Sequence, residues 1–451
     1  MKHTELLSPA GTLKNMRYAF AYGADAVYAG QPRYSLRVRN NDFLEDNLAI
    51  GINEAHQLGK KFYLTSNLMP HNSKIRTYID HMRPIIEMGP DALIMADPGL
   101  IMMVRETWPD MPVHLSVQAN TVNYAAVKFW QSVGVERIIL SRELSLDEIK
   151  EIRQECPDME LEVFVHGALC IAYSGRCLLS GYFNHRDPNQ GTCTNACRWE
   201  YSSTPSTENA EGVYKPQEKT DAVPSISDMG AVRHPAADEV MFLEETNRPG
   251  EQMPVEEDEH GTYIMNSKDL RAIEHVKQLV DIGVDSLKIE GRTKSHYYVA
   301  RTAQTYKQAI LDASSGKEFN PELIGVLENL ANRGYTDGFY KRHHTKDYQN
   351  YMQGNSLSHQ QQFVGEVIAY DTATGMADID VKNKITVGDK LELIKPGGNE
   401  DIVIEKMHDL HGNTLDEAKG GGYKIRIPLD KDMAEYGLIA RYIDTPLTQS
   451  K

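Results

Sequence analysis

A dense group of cysteines is the most chemically distinctive feature of this sequence. Four of its five cysteines, Cys170, Cys177, Cys193 and Cys197, lie within 28 residues. Cys156 stands apart, and we expect it to be an ordinary core or loop residue. Because nothing in the chain resembles an export signal, reduced thiolates that bind a metal are favoured over structural disulfides. The group therefore predicts a metal or iron–sulfur site.

The spacing of the four cysteines, C-x6-C-x15-C-x3-C, leaves the metal open. Structural zinc sites usually pair their ligands in C-x2-C-like knuckles, and only the last pair comes close. On an unbroken helix the first two cysteines would lie roughly 10.5 Å apart along the axis, too far for one site. Gly175 lies between them and predicts a turn that brings both sulfurs together. Four-thiolate zinc and a cuboidal iron–sulfur cluster both stay open, with unligated core thiols as a weaker alternative.

Apolar segments alternate with helical patterns through the first two-thirds of the chain. The predicted strands are residues 5–9, 25–30, 61–67, 92–97, 113–120, 137–143, 161–167 and 286–292. Segments with apolar residues at helical spacing lie between them, including 12–23, 43–59, 73–89 and 269–283. This alternation is typical of a parallel sheet covered by helices, and eight units favour a closed (β/α)8 barrel of the TIM type. A doubly wound open sheet is the alternative.

The barrel is expected to span residues 1–340, followed by a linker at 341–362. Short alternating strands with glycine turns then predict a small antiparallel β-barrel domain at 363–447. Residues 201–260, between the seventh and eighth strands, form an acidic insertion with fourteen Asp or Glu against four Lys or Arg. This insertion carries −10 of the net charge of −16, so the acidity of the chain does not exclude a nucleic-acid partner.

The longest apolar run, around residues 92–104, is interrupted by Asp97 and Pro98. It is too short for the ~20 residues of a membrane-spanning helix, so we expect a soluble, cytoplasmic protein without a membrane partner. The chain also has no H-E-x-x-H, G-x-S-x-G or Walker motif and no convincing G-x-G-x-x-G. Familiar hydrolytic or dinucleotide chemistry is therefore not indicated.

Polar residues at the carboxyl ends of the predicted strands are the candidate active-site residues, because barrel enzymes place their sites there. They are Ser8, Tyr28, Asn67, Asp97, Gln118, Asn120, Arg142, Glu143, His166, Glu290 and Arg292. The carboxylates could serve as acid or base, and Arg142 and Arg292 could bind a carboxylate or phosphate through two N–H groups. His166 and Arg292 are favoured because they flank the cysteine segment. Structural pairing, for example of Arg142 with Glu143, is the alternative for each.

The segment after the second strand, QPRYSLRVRNN, contains Arg33, Arg37 and Arg39 with Tyr34 between them. Arginines interleaved with an aromatic residue are suited to phosphate contacts and base stacking in RNA binding. A solvated surface loop is the alternative. The segment alone favours that alternative, and its expected place on the same rim as the cysteines gives RNA contact equal standing.

The segment EVFVHGALCIAYSGRCLLS resembles the signature of the collagenase-like peptidase family, unassigned peptidase family thirty-two, E-x-F-x-x-G-A-[LM]-C-x6-C-x-[LIVM]-S. The segments ELLSPAG, GADAVYAG, SVQAN, TYIMNSKDL and LKIEGR are also similar to that family. The C-terminal part resembles the family's C-terminal module, so the likeness covers nearly the whole chain.

The resemblance implies an activity other than the peptidase activity in the family's name. Some members are linked to hydroxylation and carry a four-cysteine 4Fe-4S cluster. By this likeness Cys170, Cys177, Cys193 and Cys197 would be its ligands. Relatives differ in where the fourth cysteine lies, which would make Cys156 the substitute for Cys197.

The implied reaction is the oxygen-independent, prephenate-dependent conversion of the wobble uridine of tRNA to 5-hydroxyuridine, the first step toward 5-carboxymethoxyuridine. Arg142, His166, Glu290 and Arg292 would be the catalytic residues, with the two arginines binding carboxylates of prephenate. The arginine segment would contact the anticodon loop. A collagenase-like endopeptidase and a non-catalytic RNA-binding protein with structural zinc are the alternatives.

Overall fold

The computed structural model describes residues 3–35, 42–169, 268–332, 334–341, 361–429 and 435–443. It also describes the backbone of three two-stranded antiparallel pairs between these ranges. Their strands are Ser206–Glu208 with Tyr214–Pro216, Met241–Glu244 with Gln252–Val255, and Glu257–Asp258 with Gly261–Thr262. Within the described ranges, no helix combines the length and the apolar character needed to cross a bilayer.

Eight parallel strands form the centre of the protein. They are β1 (Glu5–Pro9), β2 (Ala26–Gly30), β3 (Lys61–Ser66), β4 (Ala92–Met95), β5 (Val113–Leu115), β6 (Arg137–Ile139), β7 (Glu160–Ala168) and β8 (Ser286–Ile289). Each strand pairs with the next, and β8 pairs with both β7 and β1, which closes the sheet. The predicted (β/α)8 barrel is confirmed, and the open doubly wound sheet is excluded.

Helices surround the barrel, and several of them begin at a side chain that caps the first turn. Their bounds are Leu13–Ala21, Glu45–Gln57, Asn72–Ile75, Tyr78–Glu87, Pro98–Thr107, Tyr124–Ser132, Leu146–Glu155, Val276–Ile282, His296–Ser314 and Glu322–Glu328, with 3-10 turns at Val117–Ala119 and Ile273–His275. Ser145 and Glu148 form a reciprocal capping box, and the side chain of Ser295 accepts a hydrogen bond from the backbone of Tyr298. Such caps bind N–H groups that the first helical turn leaves without partners.

The segment 269–283 differs from the prediction of a continuous helix. Its first residues, Asp269–Arg271, form a strand that is antiparallel to the end of β7 and parallel to Tyr335–Thr336. β7 has nine residues and extends beyond its barrel neighbours, so its free end can bind another strand. This long-range pairing outweighs the local helical spacing, and the helix starts only at Val276.

The C-terminal part is a curled antiparallel sheet of eight strands. In spatial order these are Glu400–Val403, Lys390–Ile394, Leu438–Tyr442, Gln361–Asp371, Met376–Val381, Tyr423–Pro428, Met407–Asp409 and Thr414–Leu415. A separate pair joins Ile385–Thr386 to Glu417–Ala418. The strand Leu438–Tyr442 was not predicted, although it lies in the middle of the sheet.

The barrel and the C-terminal sheet share a packed seam along the helix His296–Ser314. Arg301 on this helix is 1% exposed, and its two terminal nitrogens each donate to a carboxylate oxygen of Glu392 at 3.0 Å. Lys14 Nζ and His296 Nε2 lie 2.6 and 2.8 Å from Glu366 Oε2. The contacts of His296 and Lys14 lower the pKa of Glu366 to about 2. The barrel's hydrophobic core also includes Ile394, Leu438 and Ala440 of the sheet.

Candidate active site at the barrel mouth

The turn after β8 places two of the predicted residues at the carboxyl ends of the strands. Gly291 has a φ of +148°, and a Cβ atom there would lie 2.7 Å from a ring carbon of Tyr298. Only glycine fits this close approach without a shift of the ring. The Tyr298 hydroxyl donates to the backbone carbonyl of Glu290 at 2.8 Å. The turn thus fixes Glu290 and Arg292 where the barrel opens.

Glu290 and Arg142 come together as predicted residues of the mouth. Arg142 Nη2 lies 3.9 Å from Glu290 Oε2, and the Tyr28 hydroxyl lies 3.4 Å from the same oxygen. The guanidinium of Arg142 stacks on the ring of Phe164 at 3.6 Å from its centroid. Stacking and the carboxylate together hold the planar cation in one orientation.

Arg292 extends across the mouth from β8 toward β3. Its Nη1 donates to Thr65 Oγ1 at 2.9 Å, and its guanidinium carbon lies 5.9 Å from the Tyr28 ring centroid. Arg292 therefore lies beside Tyr28, and Arg142 lies beside Glu290, with the Tyr28 hydroxyl 3.4 Å from the Glu290 carboxylate between them. The structure brings three of the four predicted catalytic residues into one cluster.

A third cation, Lys288, belongs to this cluster but was not singled out from the sequence. Its buried Nζ donates to Glu162 Oε1 at 2.8 Å and lies 4.2 Å from the Tyr28 ring centroid. Burial lowers its pKa, against the opposing effect of Glu162. Its one sequence signal is a charge at an alternating position of the apolar strand SLKI.

Below the mouth, the barrel interior is a network of alternating charges. Glu162 lies 3.2 Å from Arg137 Nη1, which donates to Glu5 Oε1 at 2.6 Å, and the Tyr63 hydroxyl donates to Glu5 Oε2 at 2.7 Å. Burial holds the pKa of His114 well below its usual range, and Arg137 adds to this effect. Because each charge has a partner, the network can stay ionised inside the barrel and support the cations above it.

The side of the mouth formed by β3 and β5 carries amide and hydroxyl groups. Asn67 Nδ2 lies 3.4 Å from Ser116 Oγ. Gln118 follows in the 3-10 turn after β5 and is 2% exposed. Across the residues that the structure describes, neither Nε2 nor Oε1 of Gln118 has a hydrogen-bond partner. The same holds for the buried hydroxyl of Ser8, at the end of β1.

Three other predicted residues have local structural contacts. Asp97 caps the helix Pro98–Thr107 by accepting from the backbone N–H of Leu100 at 2.9 Å. Glu143 accepts from the hydroxyl of Ser141. Asn120 adopts a left-handed conformation with φ of 51° and ends the 3-10 turn. These contacts shape the loops of the mouth.

His166 lies outside the mouth cluster. It is buried between β7 and the helix His296–Ser314, with its Nδ1 atom 3.2 Å from the Tyr306 hydroxyl. Burial lowers its pKa to about 3, so it is neutral at physiological pH. The contact of His166 with Tyr306 joins β7 to the helix His296–Ser314. A catalytic role for His166 stays a prediction.

The arginine segment is anchored by its aromatic residue. Tyr34 is 2% exposed, and its hydroxyl lies 2.8 Å from His81 Nδ1. Its ring packs edge-on against Tyr78. Base stacking by Tyr34 would require it to leave this core, so we assign it to positioning the segment. Arg33 is exposed, with Nη1 2.6 Å from His81 Nε2, whereas residues 37 and 39 lie outside the described residues.

Comparison of the sequence with models of known protein families shows which family the chain belongs to. The model of Peptidase family U32 matches residues 11–350, and that of the Peptidase family U32 C-terminal domain matches residues 359–441. The chain belongs to peptidase family U32.

Relatives in the U32 family carry two kinds of name. The chain is 59% identical over 451 residues to tRNA hydroxylation protein P of Escherichia coli strain K12, covering 99% of this chain and 98% of the relative. It is 58% identical over 445 residues to the protein of that name in Haemophilus influenzae, covering 97% and 96%. It is also 26% identical over 460 residues to a protein named Collagenase in Porphyromonas gingivalis, covering 97% of both.

The four clustered cysteines of this U32 protein lie outside the described residues, but Cys156 is described. It is buried at the end of the helix Leu146–Glu155, with Sγ 3.7 Å from the Tyr124 carbonyl, and burial raises its pKa. Cys156 precedes β7, whereas Cys170 follows that strand in the sequence, and the nine residues of β7 extend about 30 Å at about 3.3 Å each. Cys156 therefore lies beside the amino end of β7, opposite the end of that strand at the mouth, and the expectation that it substitutes for Cys197 stays a prediction. Among the described residues, no three His, Cys, Asp or Glu side chains are placed to hold a metal.

Proposed function

We propose that this protein hydroxylates the wobble uridine of tRNA to 5-hydroxyuridine, in a prephenate-dependent reaction that uses a 4Fe-4S cluster and no molecular oxygen. The observation that carries the proposal is the 59% identity to a tRNA hydroxylation protein over almost the full length of both chains. The similarity covers 99% of this chain and therefore spans both the barrel, which carries the mouth, and the C-terminal sheet. Arginine, lysine and glutamate side chains are redox-inert and cannot by themselves oxidise uracil, which is consistent with a need for a cofactor.

The cationic side of the mouth supports binding of a small dicarboxylate. Arg292 and Lys288 both lie over the Tyr28 ring, and Arg142 joins them through Glu290, whose Oε2 atom lies 3.9 Å from Arg142 Nη2 and 3.4 Å from the Tyr28 hydroxyl. A guanidinium can donate two parallel N–H groups to one carboxylate, which fixes the orientation of the ligand as well as its position. We assign the carboxylates of prephenate to Arg142 and Arg292, with Glu290 orienting Arg142.

The cluster is assigned to Cys170, Cys177, Cys193 and Cys197. Four thiolates are the donor set that a 4Fe-4S cluster requires, and Cys170 is the second residue after the end of β7 at the mouth. When bound, such a cluster supplies one-electron chemistry or an open iron site. The chain's own residues would orient the dicarboxylate and the uridine beside it.

The RNA side of the proposal rests on the arginine segment. Arg33 is exposed after β2, on the rim where the strands end, and Arg37 and Arg39 follow it in the sequence. A uracil that reacts at C5 inside a barrel must leave the anticodon stack, and phosphate contacts around it would hold the loop during this step. We therefore assign the three arginines to phosphates of the anticodon loop.

Mass analysis of tRNA nucleosides from a strain that lacks the gene tests the proposed function. The deletion should remove 5-hydroxyuridine and the nucleosides made from it, and the intact gene on a plasmid should restore them. Unchanged nucleosides would overturn the proposal. Hydrolysis of gelatin by the purified protein, in the same preparation that lacks tRNA activity, would support the collagenase alternative.

Iron analysis of anaerobically purified protein tests the cluster separately. Replacement of any one of Cys170, Cys177, Cys193 and Cys197 by Ala should remove most of the iron and the brown colour. Cys156→Ala is the matched control and should retain both, because Cys156 lies at the other end of β7. Stoichiometric zinc in colourless wild-type protein would favour the structural-zinc alternative.

A further inference from the structure

Gln118 has a buried amide that no contact in the described structure explains. The side chain is 2% exposed, and neither its Nε2 nor its Oε1 has a partner among the described residues. Most buried polar side-chain atoms in proteins have at least one hydrogen bond, so an amide with both atoms unpaired requires an explanation. A ligand with a donor and an acceptor side by side would satisfy it.

The turn that carries Gln118 forms without help from this amide. Its backbone N–H lies 3.5 Å from Ser116 Oγ, the Ala119 N–H donates to the Ser116 carbonyl at 3.0 Å, and the Asn120 N–H donates to the Val117 carbonyl at 3.0 Å. These backbone bonds and the left-handed Asn120 fix the 3-10 turn. The side-chain amide is therefore available for another purpose at the mouth.

The surroundings of Gln118 differ from the cationic side of the mouth. Ser116 is a polar neighbour of Gln118, with Oγ 3.5 Å from the Gln118 backbone nitrogen and 3.4 Å from Asn67 Nδ2. The carboxylate of Asp97, after β4, accepts from the Leu100 N–H. The carboxylate groups of a dicarboxylate have no donor at neutral pH, so either of them could accept from Nε2 of Gln118 but could not donate to Oε1. Uracil, in contrast, presents N3–H beside a carbonyl oxygen, which is the complement of a carboxamide.

We propose that Gln118 binds the imide edge of the target uracil, accepting N3–H through Oε1 and donating from Nε2 to an adjacent carbonyl oxygen. This inference rests on the proposed function and names a specificity residue for it. A base held by its imide edge keeps C5 and C6 uncovered on its other edge. Gln118 follows β5, whereas Arg142 follows β6 and Arg292 follows β8. In the proposed pose, C5 and C6 would face these arginines and the dicarboxylate assigned to them.

The test uses two anticodon stem-loop RNAs, one with uridine and one with 3-methyluridine at the wobble position, because methylation removes only the N3–H donor. Binding to the full-length, cluster-loaded protein is measured by fluorescence anisotropy. For the wild type, methylation should weaken binding about ten- to a hundredfold. For Gln118→Met, uridine RNA should bind as weakly as methylated RNA does to the wild type, with little further effect of methylation.

Gln131→Met is the control, because it makes the same change at an exposed position of the helix Tyr124–Ser132. Its methylation effect should equal that of the wild type. If Gln118→Met fails to fold by circular dichroism, Gln118→Glu retains the shape but replaces the donor by a second acceptor, and it should also weaken uridine RNA.

Two results overturn the inference and are distinguishable from each other. If the wild type binds and hydroxylates uridine RNA but Gln118→Met shows the same affinity and the same methylation effect, Gln118 is a structural amide satisfied by water and only this inference fails. If the wild type neither binds nor hydroxylates uridine RNA, the proposed function fails together with it.

Discussion

Replacing Gly167 with Ala should disturb the mouth through a single close contact between β7 and β8. Gly167 has a φ of +104°, and a Cβ atom there would lie 2.6 Å from the Glu290 carbonyl oxygen and 2.9 Å from the Glu290 Cβ. The positive φ costs an L-residue about 1–2 kcal/mol. Relief of the clash by movement of the backbone costs about 1–3 kcal/mol more. We expect a total loss of about 2–5 kcal/mol in the free energy of unfolding.

Gly283→Ala separates the two contributions. Gly283 ends the helix Val276–Ile282 with a φ of +86°, and a Cβ atom there would meet nothing within 4 Å. This variant should therefore lose only the conformational part, about 1–2 kcal/mol. Urea unfolding followed by circular dichroism gives both values under the same conditions.

The folded fraction of Gly167→Ala should also bind the dicarboxylate more weakly, because a shift of Glu290 moves Arg142 with it. Calorimetric titration with prephenate measures this effect. Equal destabilisation of the two glycine variants would refute the reasoning, since the contact between Gly167 and Glu290 would then contribute nothing.

Three further outcomes follow from the described contacts. Arg292→Lys retains the charge but loses the two-pronged donor, so hydroxylation per cluster-loaded molecule should fall while iron content stays unchanged; equal activity would remove Arg292 from the site. Replacement of Arg33, Arg37 and Arg39 by Ala should weaken tRNA binding and reduce its salt dependence by about one unit of slope per lost contact, whereas an unchanged salt series would place the RNA site elsewhere. The Glu366 carboxylate, with a pKa lowered to about 2, stabilises the fold fully above about pH 5 and loses this effect as the pH falls toward 2. Thermal midpoints of wild type and Glu366→Gln should therefore converge over that range, and a constant difference would contradict the ion-pair account.

Much of the barrel could be predicted because its strands are buried on both faces and read as near-continuous apolar segments. β1, β2 and β3 are examples, with every or nearly every residue buried. The strand Asp269–Arg271 could not be predicted in this way, since it is stabilised by pairing with the distant end of β7. The strand Leu438–Tyr442 likewise depends on two neighbours that lie far from it in the chain.

The sequence predicts where the candidate site lies better than it predicts which side chains form it. The rule that barrel sites lie at strand ends identified Arg142, Glu290 and Arg292, which the structure brings together. It could not show that Lys288 faces the interior, because one charge in an apolar strand has the same local pattern whichever side it faces. The burial of Tyr34 was also beyond local spacing, since it depends on partners more than forty residues away.

The two family models meet between residues 350 and 359, but the contacts along the helix His296–Ser314 cross this boundary. The boundary between the matched segments is therefore not a boundary between two independent structural units. A barrel cut at that boundary would still contain Arg301, but this side chain would have lost its partner, the carboxylate of Glu392. It would also lose the side chains of Ile394 and Leu438 from its core. The same helix begins just after Arg292, so the contacts between this helix and the C-terminal sheet also stabilise the side of the mouth that carries Arg292. The two segments matched separately by the family models therefore share one hydrophobic core.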